Sequence, residues 1–129
     1  MNLVDSSGWL EYFTDGKNAE FFAPVIENTD ELIVSVINLY EIYKKIASEK
    51  DDDSAIQAIA LMQQPKVIDV TNSISILAAR LSIKLGMPMA DSIIYATARM
   101  YNAIVWTQDS DFKNLEGVRY FRKNQSFKN

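Results

Sequence analysis

The chain has 129 residues, 48% hydrophobic and 23% charged, a length and balance that fit one globular domain with a full core. It contains neither cysteine nor histidine. That excludes disulfides, thiolate or imidazole metal sites, cysteine nucleophiles and serine–histidine triads, and leaves carboxylates, Lys, Tyr, Ser or Thr, with a metal, as the means for any catalysis.

Strand-like and helix-like apolar patterns alternate along the chain. Residues 2–5 read as a short buried strand. Ser6 or Ser7 can cap a first helix through Phe13, which Asp15-Gly16 ends. Phe21, Phe22, Val25 and Ile26 make a helical stripe within 18–28, and 31–35 form a second strand. From Val36 the positions Leu39, Tyr40, Tyr43, Ile46 and Ala47 are spaced for one helix face. The run Asp51-Asp52-Asp53-Ser54 breaks that helix and starts the next, which Pro65 stops. Lys66–Val70 reads as a third strand. Thr71 or Asn72 then opens a helix carrying Ile74, Leu77, Ala78, Leu81 and Leu85, ended by Gly86. After Pro88 a helix is expected over 90–101, with Ala90, Ile93, Ile94, Thr97, Ala98 and Tyr101 buried. Residues 103–107 are the clearest strand, and Val118–Phe121 is a weaker edge strand. Strands separated by helical segments argue for an α/β fold, a mostly parallel sheet covered on both faces. No linker or repeat divides the 1–129 span, which reads as a single domain.

Five acidic residues stand out: Asp5, Glu41, Asp91, Asp109 and Asp111. Each sits where an apolar segment ends or near the start of a helix. In a parallel sheet such points converge outside the carboxyl ends of the strands. A carboxylate cluster repels itself unless protons or cations are taken up, and an all-oxygen donor set suits Mg²⁺ or Mn²⁺. Each residue alone has a plainer reading: Asp5 as an N-cap, Asp91 as a first-turn acid, Glu41 at the edge of an apolar stripe, Asp109 and Asp111 in a turn. Thr107-Gln-Asp-Ser-Asp111 lacks the glycine and the later glutamate of an EF-hand loop.

The net charge of −4 argues at first against a nucleic-acid partner. Without the five candidate ligands, 13 basic residues face 12 of the 17 acidic ones. The stretch 119–129 reads as a basic C-terminal tail, with Arg119, Arg122, Lys123 and Lys128 interleaved with Tyr120, Phe121 and Phe127. Lys44, Lys45, Arg80, Lys84 and Arg99 are further candidates for holding phosphates. No run of about 18 apolar residues is present, so no membrane span is expected. The first residues lack the basic and apolar regions of a signal peptide, and a cytoplasmic location is expected.

With Val4-Asp5-Ser6-Ser7, Glu41, Ala90-Asp91-Ser-Ile-Ile-Tyr-Ala-Thr-Ala98 and Thr107-Gln-Asp109-Ser-Asp111-Phe112 in this order, the chain resembles a PIN-domain protein of the VapC toxin type over essentially its whole length. The resemblance implies a three-layer α/β/α sandwich with a mostly parallel sheet of four to five strands. It implies a Mg²⁺- or Mn²⁺-dependent endoribonuclease cleaving RNA such as tRNA or rRNA, a VapB-like antitoxin partner and a homodimer. By position, Asp5, Glu41, Asp91 and Asp109 match the family's catalytic, metal-holding quartet, with Asp111 an extra acid of the same loop and Ser6 and Thr107 polar neighbours. Gln108 departs from the pattern, standing where relatives often have a basic residue. Other readings are a housekeeping PIN nuclease in RNA processing, a non-catalytic α/β protein-binding module, or a receiver-like phosphoacceptor domain, which lacks a convincing lysine near the last strands.

Overall fold

Five short apolar segments pair side by side and all point the same way. They are β1 (Asn2–Val4), β2 (Leu32–Ser35), β3 (Lys66–Ile68), β4 (Ile104–Thr107) and β5 (Val118–Tyr120), in the order β3-β2-β1-β4-β5. Among the described residues, six α-helices accompany them: α1 (Ser6–Phe13), α2 (Ala19–Glu27), α3 (Val36–Glu49), α4 (Asp52–Met62), α5 (Asn72–Leu85) and α6 (Met89–Met100). This is a computed structural model, and it describes residues 1–123. No helix among the described residues is long and apolar enough to cross a membrane.

A parallel sheet needs both faces covered, because its crossover helices lie on them. Alternate side chains of each strand feed two separate cores. Leu3, Ile33 and Val105 meet α5 and α6 on one face, packed with Ile74, Ala78, Ile94 and Phe112. Val4, Leu32 and Val34 meet α1 to α4 on the other, packed with Trp9, Phe22, Ile42 and Met62. The α/β/α sandwich expected from the sequence is therefore the observed one. Capping fixes most helix starts: Asp5, Ser35, Asp51 and Thr71 accept backbone N–H bonds at the heads of α1, α3, α4 and α5. Gly86, in the left-handed region, ends α5.

The structure refines three readings. On α3 the apolar residue that goes fully inside is Ile42, flanked by Leu39 and Ile46, while Tyr40 stays 61% exposed. Two stripes one position apart share Leu39 and Ile46, and packing against α4 chose between them. Helix α6 is buried on more sides than one stripe: Ser92, Tyr95 and Ala96 are inside, whereas Tyr101 is exposed. The stretch read as a basic tail is, up to residue 123, largely part of the fold. Arg119 and Tyr120 lie in β5, Arg119 stacks over Trp106, and Phe121 meets Phe21. Phe127 and Lys128 lie outside the described residues.

Helix α1 crosses β1 and α2 at Gly8. A Cβ there would lie 2.6 Å from Val4 Cγ1 and 2.7 Å from Phe22 Cε1, both fully buried. Gly8→Ala should gain up to about 1 kcal/mol of helix propensity and lose about 1–3 kcal/mol to overpacking. The expected result is a lower urea midpoint. An unchanged or higher midpoint would show that α1 can shift away from the sheet.

Candidate metal centre

Strand order reverses at β1: β2 and β3 extend to one side of it, β4 and β5 to the other. Loops leaving β1 and β4 therefore part in opposite directions and open a crevice at their carboxyl ends. Asp5 is the first residue past β1, and its N–H donates to Trp106 O at 3.1 Å, which ties the two strand ends together. Its side chain is buried, 3% exposed. Oδ1 accepts from Gly8 N at 3.1 Å and Ser7 Oγ at 2.8 Å, and Oδ2 accepts from Thr107 Oγ1 at 2.9 Å. Asp5 is thus both the N-cap of α1 and a member of the crevice. Three donors surround the carboxylate, with Ser7 Oγ in reach of both of its oxygens.

Asp91, Asp109 and Asp111 reach the same crevice from two other segments. α6 runs back against the strands, so its first turn, with Asp91, lies at the sheet's carboxyl edge. Pro88 at the N-cap offers no side-chain cap, and the helix dipole favours a negative group there. Beyond β4, Thr107 Oγ1 accepts from Asp109 N at 2.8 Å, and Asp109 Oδ1 accepts from Asp111 N at 2.9 Å. These bonds curl residues 110–112 into a 3₁₀ turn and set Asp111 beside Asp109. One carboxylate oxygen from each of Asp91, Asp109 and Asp111 falls within 4.8 Å of the others.

Burial and like charge decide the protonation of this cluster. Burial pushes Asp5 up to about 6, with the charge of Asp109 adding to it, although bonds from Ser7, Thr107 and Gly8 pull the other way. Burial pushes Asp91 up to about 7, followed by the charge of Asp109, a hydrogen bond and charge from Asp111, and the charge of Asp5. No Lys or Arg among the described residues forms an ion pair with any of the four acids. Four carboxylates from three segments, all oxygen donors and short of positive charge, fit a hard divalent cation.

Glu41 belongs to the second turn of α3 and joins the site through one hydroxyl. Ser6 Oγ donates to Glu41 Oε1 at 2.6 Å and accepts from Asn38 Nδ2 at 3.0 Å. Asn38, fully buried, also completes a capping box with Ser35. Glu41 is not part of the close carboxylate group. Asn38 was not among the residues singled out from sequence. The signal for it was Ser35-x-x-Asn38 after a strand, a capping box with Asn in place of the usual Glu or Gln. Gln108, the departure from the family pattern, has a structural task. It is 6% exposed, its Nε2 donates to Ser7 O at 3.4 Å, and its Oε1 accepts from Asn18 Nδ2 at 2.8 Å. Of the basic candidates, Lys44 and Lys45 lie next to Glu41 on α3, whereas Arg99 pairs with Glu116 at 3.0 Å.

The sequence profile of the PIN domain matches residues 3–118. No curated protein matches the chain in sequence. Among solved structures, a toxin–antitoxin complex from Klebsiella pneumoniae contains a chain similar to this one, with a TM-score of 0.80 at 18% identity, covering 95% of this chain and 99% of that one. The sarcin–ricin-loop-cleaving toxin VapC20 of Mycobacterium tuberculosis aligns with a TM-score of 0.72 at 18% identity over 87% of this chain and 92% of its own. VapBC2 of Rickettsia felis, solved on a DNA fragment from its promoter, gives 0.72 at 14% identity over 94% and 97%.

Asp5 and Asp91 hold protons more tightly folded than unfolded, since an unfolded Asp titrates near about 3.9. Without metal, the folded state then binds more protons than the unfolded one. The stability contributed by these groups is full below about pH 4 and is lost as pH rises through about 6 to 7. In EDTA, the Tm of Asp91→Asn relative to the parent should therefore climb between about pH 5 and pH 8. Mg²⁺ or Mn²⁺ should raise the parent's Tm more at the upper pH, because ion and proton compete for the same oxygens. A Tm difference that ignores pH would rule out the raised titration of Asp91.

Proposed function

The chain belongs to the PIN-domain family, and from that membership we propose that it is a metal-dependent endoribonuclease of the VapC toxin type, held in check by a VapB-like antitoxin. The observation that carries the reading is the convergence of Asp91, Asp109 and Asp111 within 4.8 Å, beside buried Asp5, in the crevice where strand order reverses. Full-length likeness to toxin–antitoxin structures supports the toxin over a housekeeping nuclease.

In this proposal Asp5, Asp91 and Asp109, with Asp111 from the same loop, hold Mg²⁺ or Mn²⁺. A divalent ion so held lowers the pKa of a water and absorbs charge on the phosphodiester. Ser7, Gly8 and Thr107 keep the Asp5 carboxylate fixed by hydrogen bonds, so it needs little reorganisation to serve as a ligand. Ser6 and Asn38 fix the rotamer of Glu41, whose free oxygen orients the attacking water or a second ion. Chemistry of this kind needs no histidine, and the chain contains none. A VapB-like antitoxin is the partner that the neighbouring toxin–antitoxin structures suggest, and a homodimer is what the family resemblance implies.

Purified protein should cut total tRNA or rRNA into discrete fragments in Mg²⁺ or Mn²⁺ and leave it intact in EDTA. Asp5→Asn and Asp91→Asn should each lower the rate by on the order of 1,000-fold, the loss expected when several kcal/mol of charge stabilisation goes. Cleavage that survives EDTA, or that Asp91→Asn retains in full, would sink the assignment.

A further inference from the structure

We propose that the face of α3 beside Glu41 is a subsite for an unpaired nucleotide, with Tyr40 stacking its base and Lys44 and Lys45 receiving its phosphates. The inference rests on the ribonuclease reading and adds which side chains hold the strand beside the carboxylates.

A cavity of about 370 Å³ lies along α3 and α1, lined among others by Ser6, Ser7, Tyr40, Glu41, Lys44 and Lys45. It therefore begins at the residues that hold Glu41 and ends at two cations. Tyr40, next to Glu41 in sequence, turns its ring outward and is 61% exposed. Lys44, one turn on, lies with its ammonium 5.7 Å from the ring centroid, so aromatic surface and positive charge sit side by side. That pair is the chemistry that takes a nucleotide: the ring accepts any base face, and the ammonium takes a phosphate oxygen. Lys45 pairs with Glu49 at 3.1 Å, a pair exposed on both sides and weak in water.

Charge makes the arrangement directional. The crevice acids repel a bare phosphate, and the lysines supply the opposite sign one helical turn from Glu41. Ser7 and Lys45 also line a wider groove of about 800 Å³ between α1 and the α3–α4 pair, which gives the strand a path onward. Bases inside a duplex are stacked on one another and have no face to offer Tyr40, so the subsite selects unpaired strand.

The test uses fluorescein-labelled RNA of about 12 nucleotides, unstructured or closed into a hairpin duplex, titrated by anisotropy in the Asp91→Asn background with Mg²⁺. Tyr40→Ala should weaken single-strand binding by about tenfold or more, and Tyr40→Phe should not. Lys44→Ala with Lys45→Ala should reduce the salt slope of log Kd by about 0.7 per lysine. The duplex should bind more weakly than the single strand, with no response to Tyr40→Ala. Tyr40 is exposed, so an unchanged Tm is expected to show that its variants fold. If the unmodified protein cleaves the single strand while Tyr40→Ala binds it normally, the nuclease reading stands and the subsite falls. The subsite falls equally if Tyr40→Ala abolishes only association with a second copy or a protein partner. Absence of both binding and cleavage overturns the nuclease reading and the subsite with it.

Discussion

Carboxylates that approach within 4.8 Å repel one another, and in this chain no lysine or arginine among the described residues forms an ion pair to relieve them. Holding Asp91, Asp109 and Asp111 against that repulsion is a demand on the scaffold, and the all-parallel sheet meets it. Parallel strands buried on both faces move little, so the segments leaving them are fixed in position. β1 and β4, neighbours in the sheet, send their next residues into the gap left where strand order reverses. Burial first, and then the charge of the neighbouring acids, pushes Asp5 up to about 6 and Asp91 up to about 7, so protons take up part of the charge. A divalent cation would replace those protons with a stronger partner.

Polar groups around the acids are arranged by the same strand ends. Thr107, the last residue of β4, accepts from Asp109 N and donates to Asp5, so a single buried hydroxyl links the Asp5 carboxylate to the backbone of Asp109. Ser6 connects Glu41 to Asn38, and Asn38 in turn caps α3. Gln108 bridges Asn18 and the backbone of Ser7, fastening the loop after β4 to α1 and to the head of α2. Buried groups of this kind lose the full cost of desolvation if a partner is removed, so they rigidify the site as well as satisfy it.

Strand and helix order was legible because hydrophobic periodicity reports it directly; Asp5, Asp91 and Asp109 stood out because each follows or opens an element, and Glu41 because it is a charge near the start of α3 flanked by apolar groups. Less was readable where two periodic stripes overlap. On α3, Leu39 and Ile46 fit either face, and only contact with α4 put Ile42 inside and Tyr40 outside. On α6, a stripe of six residues understated the burial, since this helix is enclosed by more than the sheet. Asn38 gave a faint local signal, and its link to Ser6 spans 32 positions, beyond what any local pattern reports.

The sequence by itself determined the element order, the parallel α/β class, the absence of thiol and imidazole chemistry, and the supply of acids at element ends. These depend on local spacing and residue type, which the chain carries wherever it is placed. Tertiary structure decided which acids meet. It grouped Asp91, Asp109 and Asp111 closely, engaged Asp5 with three donors at the head of α1, and left Glu41 attached through Ser6. It also turned the tyrosine and lysines of α3 toward a cavity beside Glu41. The reason is physical: distances between residues far apart in sequence are set by strand order and by helix packing, and neither is written in the period of a single segment.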